Sequence, residues 1–158
     1  MTGNPPKILV YGYGNPGRQD DGLGIELAEE IDRWCSESGI TNVQTDTNYQ
    51  LNLEDAAGIA QYDVVIFADA SREDIPSFCL DPLMPSDKTE FTMHAVSPAF
   101  VLHLCKEIFH HAPEAFLVHI RGYGWEFMAE MTDKARSNLH EAIDHVKNFV
   151  VGYSSPIV

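Results

Sequence analysis

The chain has 158 residues, 44% of them hydrophobic, enough for one compact domain over 1–158 and inconsistent with a disordered chain or two ordinary domains. A formal net charge of -14, from 24 acidic and 10 basic residues, favours solubility and repels nucleic acid and anionic membrane. No apolar run nears the roughly 20 residues that span a bilayer, and the opening "MTGNPPK" lacks a signal-peptide pattern, which points to the cytoplasm.

In chain order, Lys7 to Tyr13, "KILVYGY", reads as a buried strand because nearly every position is apolar. From Gly22 to Cys35, the apolar residues Leu23, Leu27, Ile31 and Trp34 recur at helical spacing, and Ser38-Gly39 ends that helix. Val43 to Thr47 is expected to be a second strand, Leu53 to Gln61 a short helix, and Tyr62 to Ala68, "YDVVIFA", a third strand. Ser71 to Thr92 is irregular, with a strand at Phe78 to Leu80. Ser97-Pro98 provides an N-cap followed by proline at the first helical position, so a helix follows. Ala115 to Arg121 is another buried strand, and Thr132 caps a last helix reaching about Val151. The three cysteines, Cys35, Cys79 and Cys105, have no C-x-x-C spacing and read as buried thiols in a reducing compartment.

Strands alternating with helices imply an α/β fold, a three-layer α/β/α sandwich around a mostly parallel central sheet. In such sheets ligands bind outside the carboxyl ends of the strands. The first strand ends in "GYGNPGRQDDGLG", Gly12 to Gly24. This turn fits a phosphate poorly: Gly12, Gly14 and Gly17 have the G-x-G-x-x-G spacing, but the third does not read as a helix-packing glycine, no Walker lysine follows, and the carboxylates occupy the anion position at the helix start. One aspartate of the pair Asp20-Asp21 is explained as a helix N-cap; two in tandem exceed what capping requires.

The third strand leads into Asp69, a carboxylate at the end of an apolar run that must be paired, hydrated or bound to a cation. His94, in "FTMHAVSPAF", lies in a loop feeding the same sheet. Asp21, Asp69 and His94 could form a site of two carboxylates and one imidazole, a donor set suited to a borderline divalent ion such as nickel or zinc. His103, His110, His111, His119, His140 and His145 read as structural or solvent-facing. Without a G-x-S-x-G or C-x-x-C setting, a serine or cysteine nucleophile has no support.

At these residues the chain resembles the NiFe-hydrogenase maturation proteases. That family carries G-x-G-N-x-x-x-x-D-[DE]-x-x-G after the first strand, an aspartate ending a later strand, and then a histidine loop. Here the pieces read "GYGNPGRQDDGLG", "VIFADAS" and "TMHAVSP", and the late "IRGYGWEFMAEMT" also looks like the family's pattern. The resemblance implies an endopeptidase, acting as a monomer, that removes the C-terminal extension of a hydrogenase large-subunit precursor after nickel insertion. It implies that Asp21, Asp69 and His94 are both the catalytic residues and the nickel ligands, with His103 as the alternative histidine and Asp20 ordering the turn. The nickel would be presented by the precursor rather than permanently bound, with another divalent metal able to replace it in vitro. A non-cleaving nickel-dependent chaperone or checkpoint module would need the same three ligands.

Overall fold

The computed structural model describes residues 3–88 and 96–154. Strands β1 (Ile8–Tyr13), β2 (Val43–Asn48), β3 (Val64–Ser71), β4 (Phe78–Leu83) and β5 (Glu114–Arg121) form one sheet in the order β2-β1-β3-β5-β4. All pairings are parallel except β4 with β5. Helices α1 (Leu23–Ser38) and α4 (Asp133–Ser154) cover one face, and α2 (Asp55–Ile59) and α3 (Pro98–Phe109) cover the other. The expected α/β/α sandwich is therefore present.

The layers follow from alternation along each strand. Ile8, Val10, Val64, Ile66, Ala68, Phe116, Val118 and Ile120 pack against Leu27 and Ile31 of α1 and Leu139 and Val146 of α4. Leu9, Tyr11, Val65, Phe67 and Ala115 pack against Ala56 and Ile59 of α2 and Val101, Leu102 and Cys105 of α3. Each fully buried Leu or Ile contributes about 1.5–3 kcal/mol, so this two-sided core dominates stability.

Several helix boundaries match the sequence expectation. Gly39, in the left-handed region at φ 69°, terminates α1, and the Ser97 hydroxyl accepts the Phe100 N–H at 3.1 Å. The Thr132 hydroxyl accepts the Ala135 N–H at 3.3 Å at the start of α4. Other expectations need adjustment. The helix at residues 53–61 shortens to Asp55–Ile59, β4 extends to Leu83, and α4 runs to Ser154. β4 tolerates Pro82 because it is an edge strand, where a missing donor costs little. Cys35 and Cys105 are buried free thiols as expected, but Cys79 is only half-buried because it lies on that edge. Among the described residues, no helix is long and apolar enough to cross a membrane.

Candidate functional site

The turn after β1 depends on close backbone approach. A Cβ at Gly24 would lie 2.2 Å from the Ala68 carbonyl oxygen, so glycine lets the start of α1 lie directly on β3. At Gly14, φ is 139° and a Cβ would meet the Asp21 carbonyl oxygen at 2.1 Å. The Asn15 side chain accepts the Gly17 N–H at 2.9 Å, which closes the turn locally. Residues Gln19–Gly22 then form one 3-10 turn before α1.

Neither aspartate of the pair caps α1. Gly22 occupies the N-cap position, with no side-chain hydrogen bond to the helix. Asp20 is fully buried, and its carboxylate accepts the N–H groups of Tyr123 (2.7 Å), Gly124 (2.9 Å) and Thr132 (2.8 Å) and the Thr132 hydroxyl (2.8 Å). Burial alone would raise its pKa; these four donors outweigh burial and hold it below the ordinary carboxylate value. The backbone strengthens the same link, since Asp20 N–H donates to the Gly124 carbonyl and Met128 N–H to that of Gly17. Arg18 donates from Nε to the Trp125 carbonyl at 3.0 Å. Asp20 thus orders more than its own turn: it fastens the segment between β5 and α4.

Asp21 turns the other way. Its carboxylate accepts the Asn15 N–H at 2.9 Å and is half-buried. Asp69 lies close enough for the Asp21 charge to act on it. The structure thus brings together two of the three expected site residues.

Asp69 does not follow β3 but lies within it. The β1–β3 ladder ends at the Gly12–Ala68 pair, whereas β3 continues along β5 through Ser71. Asp69 is therefore the first β3 residue past that ladder, on the side where the Asp21 turn sits. Desolvation raises its pKa to about 7, and the Asp21 charge adds to the rise. Hydrogen bonds from the Ala70 N–H and the Tyr13 hydroxyl pull the other way without cancelling it. Tyr13 itself is pushed well above the usual phenol value, first by burial and then by the Asp69 charge. Its hydroxyl stays protonated and donates to Asp69.

His94 lies outside the described residues. His103 is half-buried on α3, its ring centroid 5.9 Å from that of Phe100. Among the described residues, no three His, Cys, Asp or Glu side chains are gathered as a metal cluster. Two other histidines have structural contacts, as expected: His145 packs 5.1 Å from Phe78, and His111 Nε2 lies 3.1 Å from the Ala60 carbonyl.

Sequence reasoning missed Tyr13 and the long reach of Asp20. The signal for Tyr13 was its position between the two motif glycines, at the end of an otherwise apolar strand. The signal for Asp20 was fainter, namely the second glycine-rich stretch, Gly122 to Gly124, ahead of the last helix.

No family model matches the sequence, and no curated protein matches it. Solved structures do. A [NiFe] hydrogenase maturation protease HycI from Thermococcus kodakarensis KOD1 superposes with a TM-score of 0.72 at 17% identity, covering 92% of this chain and 93% of that one. The hydrogenase maturating endopeptidase HybD from E. coli gives 0.66 at 19% identity, covering 91% of each chain. A hydrogenase 2 maturation peptidase from Thaumarchaeota archaeon SCGC_AB-539-E09 gives 0.64 at 21% identity, covering 91% of this chain and 97% of that one. At such identities the likeness establishes a shared fold over nearly the whole chain.

Proposed function

We propose that this protein is an endopeptidase that removes the C-terminal extension of a NiFe-hydrogenase large-subunit precursor once nickel has been inserted. One observation carries the proposal: Asp21 and Asp69, carboxylates from a glycine-built turn and a neighbouring strand, sit within electrostatic reach at the carboxyl end of the sheet. Two like charges held together in a desolvated place need a cation or a proton. The shared fold with named maturation proteases and endopeptidases supports the choice of partner.

In this account the nickel belongs to the substrate. Asp21 and Asp69 present two oxygen donors to it, and His94 an imidazole, a set suited to a borderline divalent ion. Desolvation raises the Asp69 pKa to about 7, so its proton is held more tightly than on an ordinary carboxylate and is released when a cation arrives. A precursor without nickel brings no charge to displace that proton, so recognition doubles as a check on metal loading. Tyr13 steadies the Asp69 carboxylate throughout, and Asp20 keeps the turn in register from behind.

The test is an intact-mass assay of nickel-loaded and nickel-free precursor mixed with this protein. The expected result is loss of a C-terminal peptide from loaded precursor alone, abolished by Asp21→Asn and by Asp69→Asn. Stable binding without mass loss would overturn cleavage and favour a checkpoint module. Neither binding nor cleavage would overturn the reading as a whole.

A further inference from the structure

The clamp that Asp20 closes also holds side chains out into water. Among the described residues three non-glycine positions have positive φ: His110, which ends α3, and Gln19 (51°) and Met128 (61°), one on each side of the clamp. Such backbone strain persists only where surrounding contacts impose it, and it concentrates at functional sites. Here the Met128 N–H donates to the Gly17 carbonyl at 2.9 Å, and the Glu126 N–H donates to Gln19 Oε1 at 3.1 Å. These bonds leave Phe127 70% exposed and Met128 98% exposed, although both side chains are large and apolar. A fixed apolar tip of this kind gains nothing from water and suits a partner, because little is left to order on binding.

Two arginines frame the tip. The Arg18 guanidinium lies 5.4 Å from the Phe127 ring centroid, and that of Arg72 lies 4.1 Å from the Trp125 ring centroid. A ring covers a guanidinium face and leaves N–H groups at its edge, in the fork that a carboxylate fits. Asp74 stands two residues from Arg72 and yet pairs with Arg121, at 2.7 Å. Among the described residues neither Arg18 nor Arg72 makes an ion pair. On a chain of net charge -14 that is a local exception: the net field repels an acidic partner, and this corner attracts one. The corner also adjoins the candidate site. Arg18 stands three residues before Asp21 in one turn, and Arg72 three residues after Asp69, just past the end of β3.

We infer that Phe127 and Met128, framed by Arg18 and Arg72, form a docking surface for a segment of the protein substrate that carries an apolar side chain beside a carboxylate. The inference rests on the precursor-processing reading and deepens it by separating capture of the polypeptide from the carboxylate pair. The tip buries the apolar side chain, and the arginine edges take the carboxylate. Aromatic residues, methionine and arginine are the types that centre such interfaces.

The experiment uses the full chain and the nickel-loaded large-subunit precursor, with KM and kcat read separately from intact mass. Met128→Gly is the central variant, since glycine accepts a φ of 61° and removes the exposed side chain. The expected result is a melting temperature at or above that of wild type, with KM raised by roughly 10-fold. The loss should appear in KM rather than kcat, the pattern of binding removed equally from ground and transition states. Phe127→Ala should behave in the same way. Arg72→Glu should raise KM at low salt by a factor that shrinks as salt is added. Unchanged KM in all three variants, with cleavage intact, would overturn this inference and leave the proposed function standing. Dimerisation of wild type that Met128→Gly abolishes would also overturn it, the tip then belonging to a second copy of the chain. A precursor that wild type neither binds nor cuts would overturn the proposed function and this inference together.

Discussion

Asp20 and Asp69 both lie at the carboxyl end of the sheet, withdrawn from water, and their surroundings are opposite. Around Asp20, four donors from Tyr123, Gly124 and Thr132 converge on one carboxylate, and its pKa falls despite complete burial. Around Asp69, one backbone N–H and the Tyr13 hydroxyl face a second negative charge, and the pKa rises to about 7. A buried charge satisfied on every side is a fastener. One left short of donors beside a like charge lowers stability, and such a defect is expected where a ligand completes the set. Adjacent aspartates in one motif thus have different surroundings, Asp20 joining the clamp and Asp21 standing within electrostatic reach of Asp69.

The largest effect that would break this contrast is on the clamp. Asp20→Ala leaves four buried donors without an acceptor, at about 1–3 kcal/mol for each group left unsatisfied and with partial relief from relaxation. The expected loss is about 3–5 kcal/mol in denaturant unfolding, a large share of an ordinary domain's stability. Its pH dependence has a definite sign. A carboxylate with a depressed folded pKa stabilises above its unfolded value and loses that contribution as pH falls, so wild type and Asp20→Ala should converge in acid.

At the site the sign reverses. Asp69 binds its proton more tightly folded than unfolded, so between about pH 4 and pH 7 its contribution to stability falls as pH rises. Asp69→Asn should therefore stabilise the protein at pH 8 by about 1–3 kcal/mol, an advantage that vanishes below pH 4, while abolishing cleavage. Thermal unfolding of the pair at both pH values checks this. Asp21→Asn sharpens the comparison with the smallest effect. It removes the like charge but not the burial, so the gain at pH 8 should stay below about 1 kcal/mol.

Much of this was legible in the sequence because it is written locally. The motif glycines announce a turn pressed against the sheet, and apolar alternation announces β1, β3 and β5. Ser97-Pro98 and Thr132 mark two helix starts through their own hydroxyls. What stayed hidden depends on contacts distant in sequence. The Asp20 partners lie more than 100 residues away, and nothing near Asp20 distinguishes it from an N-cap. The register that sets Asp69 against β5 depends on both strands, and no single strand encodes it. The residual ladder of β3 beyond β1 is likewise a property of two strand pairings, and it places Asp69 inside a strand rather than after one.

The most direct measurement is the ¹³C titration of the Asp69 carboxyl carbon in wild type and in Asp21→Asn. The account predicts a wild-type midpoint near pH 7 that moves lower when the Asp21 charge is removed. A midpoint near the ordinary carboxylate value of about 4 in both proteins would contradict it, because Asp69 would then be neither desolvated nor crowded by a like charge.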